Sequence, residues 1–417
     1  MRYQVPKGTR DILPDDAREW QFAEERFREV CRRFGYQEIR TPVFEQTDLF
    51  VRSVGADTDI VRKEMYTFED RGGRSLTLRA EGTAPAVRAY IEHNLAGQSG
   101  RLVKLYYIGP IFRYDRPQKG RYRQHHQAGM EAIGSSDPAL DAEIIELALA
   151  WWAELGVTGC RVMVNSVGCE KCWPGYQEKL TAAVGEVLPQ LCGDCQRRYQ
   201  TNIRRILDCK QEQCRQVTDS APRHVDHLCG ECAEHFEGVK SCLEAVGIEY
   251  EVNPRIVRGL DYYTKTAFEV SHASLGAQDV LGGGGRYDGL VEACGGKPTP
   301  GVGAGLGIDR ALMVRADLGL SVAADDRRCF LAVLGEEAKC RAVALLAELR
   351  RAGVAADMDH SGGSLKAQLR RADSGGYGYV AILGEDELAQ GTVALRCMNT
   401  GEQRQVLQAD LARELAG

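Results

Sequence analysis

The sequence predicts an α+β fold in three parts: an antiparallel sheet with flanking helices, a Cys-rich insertion within it, and a C-terminal α/β domain. Three observations carry this. Strand-like runs joined by turns recur as hairpins at 102–133 and again at 255–285. Ten of the fifteen cysteines fall between Cys160 and Cys242. From Phe330 onward, strand and helix patterns alternate as β-α-β-α-β-β over about 90 residues.

At 417 residues, 44% hydrophobic and 27% charged, the chain has the composition of a globular protein with material for two or three domains. Met1 to Arg10 contains no apolar core of a signal peptide, and no run approaches the roughly 18 to 20 apolar residues of a spanning helix, so a cytoplasmic protein without a membrane partner is expected. The formal charge of −6 argues against a uniformly basic nucleic-acid coat. It leaves room for local clusters such as the one at 113–123.

Taken in order, Trp20, Ala23, Phe27, Val30 and Phe34 repeat at helical spacing after Pro14, with Asp15 or Asp16 as cap and Gly35 as stop. Tyr36 to Arg40 alternates, and Thr41 to Glu45 contains a proline that suits an edge or interface strand. Lys63 to Phe68 and Leu76 to Arg79 flank a turn at Arg71-Gly72-Gly73 and form a meander. A helix is expected over about 86–94, with Glu81 and Thr83 at the exit of the preceding strand, where side chains often face a cleft.

Leu102 to Ile108 breaks at Gly109-Pro110, resumes to Tyr114, passes a basic loop from Arg116 to Arg121, and returns as Tyr122 to Ile133. Because strand side chains alternate, Arg123, His125, Gln127, Gly129 and Glu131 share one face and Gln124, His126, Ala128, Met130 and Ala132 the other. A row holding Gln127 and Glu131, opposed by a strand carrying Arg113, can bind a small zwitterion if that face lines a pocket. A solvated outer face is the plainer alternative.

A helix from about Ala139 to Leu155 opens at Asp137-Pro138. The cysteines then pair as Cys169/Cys172, Cys192/Cys195 and Cys229/Cys232 at CxxC spacing, with Cys209/Cys214 at Cx4C. Eight thiols suffice for two four-thiolate zinc sites, free structural thiols being the alternative, and spacing does not reveal which pairs combine. A thioredoxin-like use lacks its βαβ context. Arg255 to Tyr263 leads into strand Thr266 to Val270, a turn, Val280-Leu281, and Gly282 to Asp288, where glycines let backbone approach a ligand. Alternate glycines from Gly301 to Gly307 feed a helix with Arg310 in its first turn, either a floor for a purine and its phosphates or a tightly packed crossing point. Asp317 to Arg328 reads as a linker. The expected domains are 1–325, interrupted by an insertion at about 166–250, and 326–417.

Together these pieces resemble the histidyl-tRNA synthetases, a class II aminoacyl-tRNA synthetase family, along essentially the whole chain. Thr41-Pro42-Val43-Phe44-Glu45 resembles motif 1, Gly109-Pro110-Ile111-Phe112-Arg113 and its loop to Glu131 motif 2, and Gly301 to Arg310 motif 3. Arg258-Gly259-Leu260-Asp261-Tyr262-Tyr263 and Gly283-Gly284-Gly285-Arg286-Tyr287-Asp288 resemble the two histidine-specific motifs. The resemblance implies a six-stranded antiparallel catalytic sheet, a C-terminal anticodon-binding domain, and a homodimer that charges tRNA(His) from L-histidine and ATP with Mg2+. It also implies roles. Glu81 and Thr83 would hold the α-amino group, Gln127 would help orient it, and Glu131 with Tyr263 would read the imidazole, with Arg258, Tyr262 and Tyr287 completing the histidine site. Arg113, Arg121 and Arg310 would bind ATP, Arg113 and Arg258 would serve the chemistry, and Arg116 and Gln118 would meet the tRNA acceptor end. Ala80, His125 and Asp309 depart from the residues usual in the family, and none removes a proposed contact.

Two other classes fit parts of the sequence. A regulatory subunit of ATP phosphoribosyltransferase would typically lack the C-terminal domain and the intact Arg258 to Tyr263 motif, and a zinc-dependent nucleic-acid-binding protein would leave both hairpins unexplained.

Overall fold

Period-two alternation of side chains builds the central sheet and gives it two unlike faces. The computed structural model describes residues 3–56, 58–99, 102–322 and 327–416. The chain enters through α1 (Pro14–Arg33), β1 (Gln37–Glu38), β2 (Phe44–Gln46), α2 (Thr47–Val54), a π-helical turn (Ile60–Glu64), β3 (Thr67–Glu69), β4 (Ser75–Leu78), α3 (Thr83–Glu92) and α4 (Leu95–Ser99). Next come β5 (Val103–Phe112), β6 (Gln124–Ile133), α5 (Pro138–Glu154) and β7 (Arg161–Ser166). The Cys-rich stretch carries α6 (Trp173–Val187), α7 (Gly193–Thr201), α8 (Glu212–Val217) and α9 (Gly230–Ala245). After β8 (Tyr250–Val252), β9 (Thr264–Ser271), β10 (Val280–Arg286), α10 (Leu290–Ala293), β11 (Gly301–Gly307) and α11 (Ile308–Asp317) complete the first compact unit, Met1–Ser321.

The sheet order is β1-β5-β6-β11-β10-β9-β7-β8. β5, β6, β11, β10, β9 and β7 pair antiparallel throughout, which is the expected six-stranded sheet. The short strands β1 and β8 add a parallel pairing at each edge. One face buries Ala128, Met130, Ala132, Val302, Ala304, Leu306, Phe268 and Val270 against α1, α5 and α11. There Phe27 and Trp151 meet edge to face at 5.3 Å, and the Trp151 indole N–H donates to the Ala23 carbonyl at 2.9 Å. That buried layer leaves the opposite face to carry the polar residues.

Several local expectations are corrected. Leu13 is the N-cap of α1 and makes no side-chain cap bond, so Asp15 and Asp16 act within the first turn, where they favour the positive end of the helix dipole. Asp137 does cap α5, accepting from the Ala139 N–H at 2.9 Å. Lys63 and Glu64 lie in the π-helical turn and not in a strand, and the meander is β2-β4-β3. β5 continues through Gly109 and Pro110, which face Gln127 and His126. The basic loop narrows to a tight turn in which Gln118 and Arg121 exchange backbone hydrogen bonds. Arg255 to Tyr263 forms no strand, and regular structure resumes only at Thr264.

Within the Cys-rich stretch, Tyr176, Leu180, Val184, Leu191, Ile203 and Ile206 form a separate small core. α9 belongs elsewhere, because Phe236, Val239 and Leu243 join the main core against α5.

The second unit, Val322–Gly417, contains β12 (Cys329–Val333), α12 (Glu336–Arg351), β13 (Ala356–Met358), α13 (Leu365–Ser374), β14 (Tyr379–Leu383), α14 (Glu385–Gln390), β15 (Thr392–Cys397), β16 (Gln403–Leu407) and α15 (Leu411–Ala416). Its sheet order is β13-β12-β14-β15-β16, parallel across the first three and antiparallel beyond. Helical crossovers α12 and α13 supply the length that parallel neighbours need. β16, α14 and α15 extend the alternation that the sequence suggested. Of the expected linker, Asp317 closes α11, and 323–326, where the expected boundary falls, lie outside the described residues.

Candidate active site

Glu131, near the C-terminal end of β6, is fully buried on the polar face of the sheet. Its Oε1 accepts the Thr83 hydroxyl at 2.8 Å and the Tyr107 hydroxyl at 3.0 Å, and its Oε2 accepts the Tyr287 hydroxyl at 2.5 Å. Room for the carboxylate comes from β11, where Gly303 lies opposite and any side chain would overlap Glu131. Burial dominates the electrostatics and pushes the Glu131 carboxyl up to about 8 against the pull of its three hydroxyl donors. A solvated outer face is therefore excluded for this end of β6.

Glu81 is also buried and its pKa is raised by burial. Its oxygens accept the N–H groups of Thr83 at 2.6 Å and Ala84 at 2.7 Å, satisfying two donors at the start of α3 that no residue of that helix can satisfy. Each oxygen keeps a lone pair for a ligand. Gln127 sits between Gly109 of β5 and Gly307 of β11, half-buried, and Gly305 lies close to its amide.

Tyr262, Tyr263 and Tyr287 form an aromatic wall, with ring centroids 4.8 Å apart for the first pair and 5.9 Å for Tyr262 and Tyr287. The Arg258 guanidinium lies 5.6 Å from the Tyr263 ring and donates to Glu269 Oε1 at 2.8 Å. Its Nε is buried without a hydrogen-bond partner. Gly283 permits this placement, since a Cβ there would stand 2.8 Å from Arg258 Nη1. The two glycine runs thus clear space for a carboxylate and a guanidinium on one face.

Arg113 follows β5 and donates from Nε to the Ala80 carbonyl at 2.8 Å, which places it beside Glu81. Arg310, in the first turn of α11, donates to the carbonyls of Gly120 at 3.1 Å and Val280 at 2.5 Å. Arg121 is paired with Asp115, while Arg116 and Gln118 are exposed on the hairpin. Between the two arginines, burial and the charges of Arg113 and Arg310 pull the His125 imidazole down to about 3, so it is neutral. Asp309 accepts the His126 N–H at 2.8 Å and pairs with Arg10 at 3.1 Å.

Reading the sequence missed Tyr107 and Glu269. Tyr107 is hidden in an apolar run, and its only signal is that it opposes Gly129, two residues from Glu131 on the same face. Glu269 is the one acidic residue of β9, but its pairing with Arg258 depends on the path of an irregular segment.

The eight cysteines gather into two sets, Cys169/Cys172/Cys229/Cys232 and Cys192/Cys195/Cys209/Cys214, each with all Sγ atoms within 4.8 Å of one another. Tetrahedral zinc with Zn–S bonds near 2.3 Å requires sulfurs about 3.8 Å apart. The separations here are 3.7 Å for Cys169–Cys172 and 3.9 Å for both Cys169–Cys229 and Cys192–Cys209. Backbone N–H groups of Cys229 and Cys192 point at Cys172 and Cys214 sulfurs, which suits thiolates. Both sets could hold a metal ion.

Residues 8–311 match the family model for histidyl-tRNA synthetase, and 328–416 match an anticodon binding domain. The chain belongs to the histidyl-tRNA synthetase family. It is 50% identical over 407 residues to a histidine–tRNA ligase of Desulforamulus reducens, covering 97% of each chain. A histidine–tRNA ligase of Pelotomaculum thermopropionicum is 52% identical over 403 residues, covering 96% of this chain and 94% of the relative. The crystal structure of apo S. aureus histidyl-tRNA synthetase superposes with a TM-score of 0.84 at 37% identity, covering both chains completely. A Bacillus halodurans chain described as an ATP phosphoribosyltransferase regulatory subunit/histidyl-tRNA synthetase shares the fold at 21% identity and a TM-score of 0.63. Full-length identity to the ligases decides against the regulatory-subunit alternative. The chain is a ligase that activates L-histidine with ATP, giving histidyl-adenylate and pyrophosphate, and then transfers histidine to the 3′ end of tRNA(His). The family's reaction uses ATP with Mg2+. Among the described residues, no helix is long and apolar enough to cross a membrane.

Proposed function

We propose that the polar face of the sheet divides the work of adenylate formation among the residues just described. Glu131 and Tyr263 read the two imidazole nitrogens, Tyr262 and Tyr287 wall the ring, and Glu81, Thr83 and Gln127 hold the α-amino group. The buried Glu131, gripped by three hydroxyls, is the observation that carries this assignment. A ligand lacking those nitrogens would leave buried polar groups unpaired. Arg113, Arg121 and Arg310 bind the ATP phosphates. Arg258 and Arg113 stabilise the charge that develops at the α-phosphate as the histidine carboxylate attacks it; the unpartnered Arg258 Nε supports this role. Arg116 and Gln118 on the hairpin meet the acceptor end of tRNA.

Each four-cysteine set binds a structural Zn2+. The working form is a cytoplasmic homodimer, built on the β2-β4-β3 sheet, where Phe44 and Phe68 stay 46% and 44% exposed with their rings 6.5 Å apart. Sedimentation of Phe44→Asp reads the dimer directly, since a wild-type monomer, or a dimer untouched by the substitution, contradicts it. Histidine-dependent ATP–pyrophosphate exchange tests the site assignments. Wild type should exchange, and Glu131→Gln should lose exchange through its histidine dependence, with the ATP dependence retained. An equal effect on both substrates would move Glu131 out of the imidazole pocket.

A further inference from the structure

The segment from Arg255 to Asp261 carries Arg258 but belongs to no strand, so something other than sheet hydrogen bonds must fix it. Its even-numbered residues contact the catalytic core. Ile256 packs with Val167 and Ala267, Arg258 pairs with Glu269, and Leu260 lies against the clusters around Val87 and Phe50. Its odd-numbered residues contact the Cys-rich insertion. The Arg255 guanidinium donates to the Arg215 carbonyl at 2.8 Å and to Thr218 Oγ1 and Asp219 Oδ1 at 3.3 Å. Val257 packs on the insertion's own core, Gly259 faces Arg205, and Asp261 Oδ1 accepts the Asn202 amide at 3.2 Å.

These ties are discrete. A cleft of about 540 Å³, lined by Asp59, Arg198, Asn202, Arg205 and Asp261 among others, opens between the insertion and the turn at Ile60–Glu64. Thr218, one of the Arg255 partners, itself donates to the Cys214 carbonyl at 2.7 Å, so Arg255 is anchored beside a cysteine of the second set.

We infer that the insertion is a scaffold for adenylate chemistry, and that Arg255, with Asn202, is a positioning residue holding the segment from which Arg258 reaches the active-site face. The inference rests on the role proposed for Arg258. Displacing a charged group by about an ångström costs roughly 10- to 100-fold in rate without removing any binding contact. Arg255 and Asn202 bond to residues of the insertion and of this segment and to none of those proposed to hold histidine or ATP, so their loss should act on kcat and spare KM.

The test is pyrophosphate exchange by the full-length enzyme carrying Arg255→Ala, Arg255→Lys, Asn202→Ala, Arg258→Ala or Arg255→Ala/Arg258→Ala. Arg255→Ala should lower kcat by about 10-fold or more, with KM for histidine and ATP within about twofold. Arg255→Lys should recover part of that loss, and Asn202→Ala, a milder change at the other end of the segment, should move kcat the same way. The double variant should be no slower than Arg258→Ala alone. Single-turnover transfer from preformed histidyl-adenylate to tRNA should stay at the wild-type rate in Arg255→Ala. Normal exchange in both Arg255→Ala and Asn202→Ala, or a loss confined to transfer, overturns the inference and makes the insertion an RNA-docking element only. Normal exchange in Arg258→Ala would instead remove the role of Arg258 itself.

Discussion

Tyr287 and Glu131, 156 residues apart in sequence, meet at 2.5 Å between hydroxyl and carboxylate in a fully buried setting. The contact joins the end of the glycine-rich hairpin to the centre of the sheet. It also explains why a carboxyl can be kept where burial opposes its charge, because three hydroxyls stand ready to stabilise the anion.

The first prediction follows from that balance. With burial pushing its carboxyl up to about 8, Glu131 should carry its proton in the free enzyme at neutral pH. A carboxylate that accepts an imidazole N–H must first give up this proton. Histidine affinity should therefore rise between pH 7 and 8 with proton release on binding, measurable by calorimetry in two buffers of different ionisation enthalpy. For stability the sign is opposite. The folded state binds the proton more tightly than the unfolded one, so this group's contribution is complete below the ordinary carboxyl pKa and is lost as pH rises towards 8. Glu131→Gln should flatten both dependences, and a wild-type histidine affinity that is level with pH would contradict the assignment.

The second prediction concerns the cysteines. Protein purified without chelator should carry two zinc ions per chain, one for each four-sulfur set. Chelation should raise hydrogen exchange across Trp173–Val187 and Glu212–Val217 while leaving the strands of the main sheet protected, because the two regions have separate cores. Metal analysis that finds no zinc ends the proposal.

The third concerns the hairpin tip. Arg116 is exposed and Arg121 is held by Asp115, so removing the charge at Arg116 should leave the ATP site intact. Arg116→Ala should weaken aminoacylation far more than pyrophosphate exchange, with a shallower salt dependence of charging. Equal losses in the two assays would place Arg116 in adenylate formation.

Much of this site is legible in the sequence because a strand has only two faces. Once 124–133 is read as a strand, Gln127 and Glu131 fall on one side and Ala128, Met130 and Ala132 on the other. What the period cannot give is depth. Nothing in Gln127 to Glu131 says that the polar side is covered by α3 and α10, and Glu131 is buried because Thr83, Tyr107 and Tyr287 arrive from three other elements. The cysteines show the same limit, since four pairs in a row permit several combinations and only the return of α9 to the main core joins Cys229 and Cys232 to Cys169 and Cys172. The motif marks Arg258 but not its surroundings, because its pairing with Glu269 and the bonds from Arg255 to the insertion follow an irregular path that no periodicity describes.

That support shapes the last prediction. Arg258 is a half-buried guanidinium with one carboxylate partner, Glu269, and a buried Nε that has no hydrogen-bond partner. A preorganised cation of this kind gains most when charge builds up at the α-phosphate, and its removal typically costs about 10²- to 10³-fold in rate. Arg258→Ala should reach that range in pre-steady-state adenylation while histidine and ATP bind with modestly altered affinity, since the contact strengthens in the transition state. Arg258→Lys keeps the charge but loses the planar fork with which Arg258 would meet the phosphate while holding Glu269, so it should remain badly impaired. Glu269→Gln offers a separate check. It leaves the cation in place with a weaker partner, and its adenylation rate should lie between wild type and Arg258→Ala. An Arg258→Ala enzyme that adenylates within a few-fold of wild type would show that the cation acting at the phosphate is another arginine, with Arg113 the next in position.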